Sequence, residues 1–160
     1  MNGKVSSNRG FTLIELVVAL AILGILLVAG IPGLTTLLNN NDVRTTSTKL
    51  VDSIAHARAL AADNVVPVRI CPKICNDAST WKDGWQIFVD LDGDGAFESD
   101  ELALVESNVG GKTTITSAET VIDFDLKGNN ANSGLSLTVK KDGATDRVVT
   151  VSNTGYVTVK

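Results

Sequence analysis

From Leu16 to about Leu38 the chain carries no charged side chain, and most residues are Leu, Val, Ala or Ile. A helix crossing a bilayer core needs roughly 20 mainly apolar residues. The length of this run therefore predicts a membrane-spanning helix and limits what the remainder can be. One carboxylate, Glu15, stands at its front edge. Met1 to Gly10 forms a short leader containing Lys4 and Arg9. A basic segment before an apolar one holds the N-terminus on the cytoplasmic side. An ordinary secretory signal would be cut after the apolar run, at small residues such as Ala29-Gly30-Ile31-Pro32-Gly33. Two features oppose that reading. The run is longer than a signal core, and a charge such as Glu15 costs roughly 2.5–3.5 kcal/mol near a bilayer centre. Such a residue is expected to have a partner and a task.

Gly10-Phe11-Thr12-Leu13-Ile14-Glu15 resembles the class III signal of type IV pilins and type II secretion pseudopilins. The resemblance implies that residues 1–10 are a leader, removed by a prepilin peptidase between Gly10 and Phe11, with Phe11 then N-methylated. It implies that residues 11–38 form a transmembrane and assembly helix. Glu15 would pair with the N-terminal amine of a neighbouring subunit, as opposite charges attract strongly where the dielectric is low. The implied partners are other pilin or pseudopilin subunits, the prepilin peptidase and the bacterial inner membrane. The single-pass chain would place its C-terminal domain in the periplasm and enter a pilus or pseudopilus.

Residues 39–160, roughly 120 in number, are enough for one domain. Pro32 and Gly33 should kink or loosen the first helix. Asn39-Asn40-Asn41-Asp42 reads as a polar break. Beyond it Val43, Leu50, Val51, Ile54, Ala57, Leu60 and Ala61 recur at helical spacing, predicting an amphipathic helix over about 42–63. His56 is expected at the surface, without a role. From Val65 the period becomes that of strands. Strands are expected at 66–71, 85–91, 101–106, 113–116, 121–126, 135–140, 147–152 and 156–159. Gly128 to Gly134 reads as a flexible loop. The fold class expected is α+β, one long N-terminal helix packed on antiparallel β-sheet.

Three further segments narrow the resemblance to the GspH/FimT-like minor pilins and pseudopilins. They are His56-Ala-Arg-Ala-Leu-Ala-Ala-Asp63 leading to Val68-Arg-Ile-Cys71, Asp83-Gly-Trp85-Gln-Ile-Phe-Val-Asp90, and Val151-Ser-Asn-Thr-Gly155-Tyr-Val157. What the resemblance implies is a minor pilin of a type IV pilus. The alternatives are a minor pseudopilin of type II protein secretion and a DNA-binding minor pilin for transformation. DNA-uptake members of the group end in a Gly-Arg-x-Arg pattern, whereas this chain has Gly155-Tyr156-Val157-Thr158. The formal charge is −4, and loss of Lys4 and Arg9 would make the chain more acidic. Phosphate binding is largely electrostatic, so nucleic acid is the weaker expectation. Its candidate contacts are Lys140, Lys141, Arg147 and Lys160.

Asp90, Asp92, Asp94, the carbonyl of Ala96 and Glu101 fit the spacing of a calcium loop, with Gly95 at the sharp turn. The flanking strands differ from the helices of such loops, and the competing reading is an exposed Asp/Gly hairpin turn. No other cofactor is expected. The two cysteines, Cys71 and Cys75, are a candidate disulfide closing a short loop. Trp81 and Trp85 are expected in the core. One histidine and no nucleophile or phosphate-loop motif argue against an enzyme.

Overall fold

The computed structural model describes residues 10–75, 77–93, 97, 103–107, 109, 112–132 and 134–160. Leu13–Asn64 is one α-helix, α1. Pro32 and Gly33 lie inside it; proline lacks an amide to donate, yet the helix continues past it. The chain divides into two compact units, residues 1–36 and 37–160.

The described part of the first unit is Gly10 to Thr36, which includes the apolar part of α1. Every side chain described from Gly10 to Thr36 is exposed. Among the described residues nothing apolar in this unit packs against a core, as the apolar sequence predicts for a segment made to face lipid or other chains.

The second unit contains α1 from Leu37 to Asn64, about eight turns, and, among the described residues, eight strands. The strands are β1 (Val68–Pro72), β2 (Trp85–Val89), β3 (Ala103–Ser107), β4 (Thr114–Ser117), β5 (Ile122–Phe124), β6 (Leu135–Lys140), β7 (Arg147–Val151) and β8 (Val157–Val159). They form two antiparallel four-stranded sheets, with orders β3-β2-β1-β5 and β4-β6-β7-β8. The α+β class expected from the sequence is therefore the one observed. Val43, Leu50, Ile54, Ala57 and Ala61 of α1 join Ile70, Trp85 and Ile87 of one sheet and Ile115, Leu137 and Val149 of the other in a single core. Both tryptophans are fully buried and His56 is exposed, as expected.

The Asn-rich stretch is helix, not the break expected from its composition. Asn and Asp usually interrupt helices by bonding their own backbone. Here they bond elsewhere. Asn39 Nδ2 donates to the Asp142 carbonyl at 2.9 Å, and Asn40 Oδ1 accepts from the Thr145 amide at 2.8 Å. Lys141 pairs with Asp42. Three side chains of α1 thus pin the β6–β7 turn.

Two other segments depart from expectation. Residues 78–83, unassigned in the sequence reading, form a 3-10 helix capped by Asp77, whose carboxylate accepts from the Ser79 amide at 3.0 Å. The loop after β5 is tied rather than free. Asp125 Oδ1 accepts from the amides of Lys127 and Asn129, and the Asn130 amide donates to the Asn153 carbonyl.

Candidate functional site

The processing and assembly residues stand at the start of α1. Gly10 and Phe11 precede the helix, and Phe11 is 87% exposed. Thr12 accepts the first helical bond, from Leu16 N at 3.2 Å. Glu15 lies one turn on and reaches back. Its Oε2 accepts from the Thr12 amide at 2.8 Å and from the Thr12 hydroxyl at 2.9 Å. The Thr12 hydroxyl in turn receives the Glu15 amide at 3.3 Å. This is a capping box, in which residue Thr12 and the Glu three positions later satisfy each other's free donors. It fixes the carboxylate at the mouth of the helix, beside Phe11. Phe11, Ile14, Glu15, Val18 and Ile22 share one face, so the charge is embedded in an apolar stripe.

In the second unit Asp90, the first of the expected calcium ligands, is almost fully buried at the end of β2. Its Oδ1 accepts from the Gly93 amide at 2.8 Å, and its Oδ2 lies 2.7 Å from Arg69 Nε. The same nitrogen lies 2.7 Å from Asp123 Oδ1 on β5. Nε carries one hydrogen, so it cannot align with both oxygens. These contacts are charge pairing across β2, β1 and β5, with little directional bonding. Burial pushes the Asp123 carboxyl above the usual aspartate value; Arg69 opposes that shift and Asp90 adds to it. Asp92 is exposed, and Asp94, Ala96 and Glu101 lie outside the described residues.

Cys71 at the end of β1 and Cys75 are joined as a disulfide, with Cα atoms 5.1 Å apart. Gln86, opposite Cys71 in the β1–β2 register, donates Nε2 to Cys75 Sγ at 3.1 Å.

The expected nucleic-acid contacts do not share one arrangement. Lys141 pairs with Asp42, and Lys140 lies 3.6 Å from Asp146. Arg147 and Lys160 line a depression with Arg44, Asn40, Thr145 and Asp146. Arg44 belongs to the polar side of α1 and was not singled out by the sequence, since a lone helical arginine usually marks a solvated face.

The segment closing the domain has a tight geometry. Arg58 of α1 donates Nε to the Gly128 carbonyl at 3.1 Å, and its guanidinium stacks 4.7 Å from the Tyr156 ring centroid. Gly155, with φ +76°, lies against both; a Cβ there would meet Gly128 O at 2.6 Å and Arg58 Cδ at 2.8 Å. Only glycine fits this conformation and this approach.

A family profile described as type II transport protein GspH matches residues 46–155. The chain belongs to the GspH family. A second profile, the prokaryotic N-terminal methylation motif, matches residues 5–31 of this GspH-family chain. Two crystal structures of the type IV minor pilin FimU from Pseudomonas aeruginosa share the fold. One, in space group P21, is 17% identical with a TM-score of 0.63, covering 75% of this chain and 89% of that one. The other, in space group P65, is 19% identical with a TM-score of 0.58, covering 73% and 91%. No functionally curated protein matches the sequence. Family, methylation motif and fold together make the chain a minor pilin or pseudopilin.

Proposed function

We propose that this GspH-family chain is a minor pilin of a type IV pilus, a structural subunit that assembles through α1. A prepilin peptidase would cut between Gly10 and Phe11, and Phe11 would be methylated as the new N-terminus. The subunit would wait in the inner membrane with residues 39–160 in the periplasm. The observation that carries this reading is the exposed apolar stem with one carboxylate at its mouth. A stem without packing partners of its own requires lipid before assembly and other stems after it. Glu15 then becomes the one charged side chain that each stem brings into an apolar bundle. In the single chain Thr12 satisfies it; in a filament the amine of a neighbouring subunit offers a stronger, charge-assisted partner.

The test has two parts. Mass analysis of the mature N-terminus, with and without the prepilin peptidase, should give a methylated Phe11 only when the enzyme is present. Glu15→Ala should still be cleaved but should not enter filaments. A mature chain starting near residue 30 would end this proposal.

One observation favours a second reading. The matched profile carries the name of a type II transport protein. As a minor pseudopilin, the chain would use the same stem for protein export. Deletion separates the two: loss of twitching with exoprotein secretion intact selects the pilus, and the reverse selects export.

A further inference from the structure

The depression lined by Asn40, Arg44, Thr145, Asp146, Arg147 and Lys160 has a volume of about 340 Å³. It lies wholly within the second unit, on the stretch of α1 that follows the apolar run. Leu37 and Leu38, the last apolar residues of that run, are exposed. Arg44 follows Leu38 by six residues of helix, a rise of about 9 Å. The polar layer on each side of a bilayer core is about 5–8 Å deep. Measured along α1 from Leu38, the Arg44 backbone therefore falls just outside the headgroup layer, and its long side chain can reach back into it.

The β6–β7 turn is brought to the same level. Asn39, Asn40 and Asp42 fix it to α1, which places Arg147 beside Arg44. Lys160 arrives through the ladder, its amide and carbonyl paired with Val148. The local side-chain charges are Arg44, Lys140, Lys141, Arg147 and Lys160 against Asp42, Asp142 and Asp146, and the α-carboxylate of Lys160 leaves the balance positive. This corner is net positive in a chain of net charge −4. Lys141 and Lys140 are matched by Asp42 and Asp146. Among the described residues, Arg44, Arg147 and Lys160 have no carboxylate within ion-pair distance, and all three line the depression. Cations left unpaired around a concave surface at headgroup depth suit one ligand chemistry, the phosphodiester of an anionic phospholipid. Arginine offers it a forked pair of donors, and Asn40 and Thr145 add polar edges.

We infer that this corner is a lipid-binding surface that holds anionic phospholipid headgroups against the foot of the domain. The inference rests on the reading of residues 11–38 as a bilayer-seated stem. Its consequence is positional. Each bound headgroup holds the domain on the membrane, and the chain must leave those lipids when it is drawn into a filament.

The test reconstitutes the full-length protein in bilayers of phosphatidylcholine containing phosphatidylglycerol. Spin-labelled forms of each lipid then report the relative association with the protein. Each cation at an anionic surface gives about a five-fold preference. The wild type should thus favour phosphatidylglycerol several-fold, and added salt should abolish the preference by screening. Arg44→Gln/Arg147→Gln/Lys160→Gln should remove the preference contributed by this corner, with an unchanged melting temperature. An integrated wild-type chain with a ratio of one overturns this inference and leaves the stem intact as a membrane segment. A chain that alkali strips from the bilayer overturns both. DNA retained by the detergent-solubilised wild type and lost in the triple variant, with the wild-type lipid ratio at one, reassigns the surface to nucleic acid.

Discussion

Arg69 holds two carboxylates with one guanidinium, and they are not equivalent. Asp90 is buried, hydrogen-bonded through Oδ1 to the Gly93 amide and charge-paired through Oδ2 with Arg69. Asp123 is partly exposed, and its carboxyl is raised, mainly by burial. Removing one partner of a buried pair costs about 3–5 kcal/mol. Asp90→Asn is therefore expected at about 3 kcal/mol, and Asp123→Asn well below it. The pH dependence has a definite sign. A carboxyl with a raised pKa binds more protons folded than unfolded, so its contribution to stability falls as pH rises from the unfolded value through the folded one. Denaturation of wild type and Asp123→Asn across that acidic window should show this decline in the wild type only; equal slopes would mean Asp123 is not its source. The sequence offered little access to this cluster. Arg69 and Asp123 read as ordinary outward residues of alternating strands, and only the order β2-β1-β5 places them together. Gly155 is a similar case. Nothing in the local sequence signals its contact with Arg58, 97 residues earlier. Gly155→Ala combines a positive φ with overlap onto backbone and should lower stability by about 1–3 kcal/mol in a thermal melt.

At the scale of elements, local patterning was readable and long-range pairing was not. The stripe from Val43 to Ala61 gave the buried face of α1 because burial follows the helical period. β6 alternates buried and exposed along its length, which is why its bounds match those read from the sequence. The 3-10 helix at 78–83 has no such period. Its Ser79, Thr80 and Trp81 gain their places from the Asp77 cap and from Trp81 Nε1 donating to the Glu119 carbonyl. The Asn-rich turns of α1 misled for the converse reason: their intrinsic preference for leaving a helix is outweighed by partners in the β6–β7 turn, distant in sequence. The Cys71–Cys75 clip sits between these cases, since its spacing was visible and its neighbour Gln86 was not. It encloses only Pro72, Lys73 and Ile74, and loop-closure entropy for so small a ring is worth about 2 kcal/mol. Cys71→Ala/Cys75→Ala should unfold at lower denaturant by about that amount. Reductant should destabilise the wild type similarly and leave the variant unaffected. An unchanged wild type under reductant would show that the clip carries no stability.

The whole molecule divides by the company its apolar residues keep. Among the described residues, every member of the core and every apolar residue packed on it lies between Val43 and Val157. No described residue of the stem contributes, and its large side chains are exposed, from Phe11 at 87% to Leu38 at 56%. Burying an aliphatic side chain is worth about 1.5–3 kcal/mol, and the stem gains none of this in a single chain. Its folding free energy is therefore separate from that of the domain, and its apolar area drives association instead. A fragment spanning residues 39–160 retains Asn39, Asn40 and Asp42 with their contacts to the β6–β7 turn. It should be monomeric in water and unfold in one cooperative step, at the same temperature as the mature protein in detergent. The mature protein without detergent should sediment as aggregate. A fragment that melts much lower would mean that the stem supports the domain, and the separation of anchoring from folding would fail. Equal melting places the stem's energetic role outside the single chain, in the membrane and then in the filament.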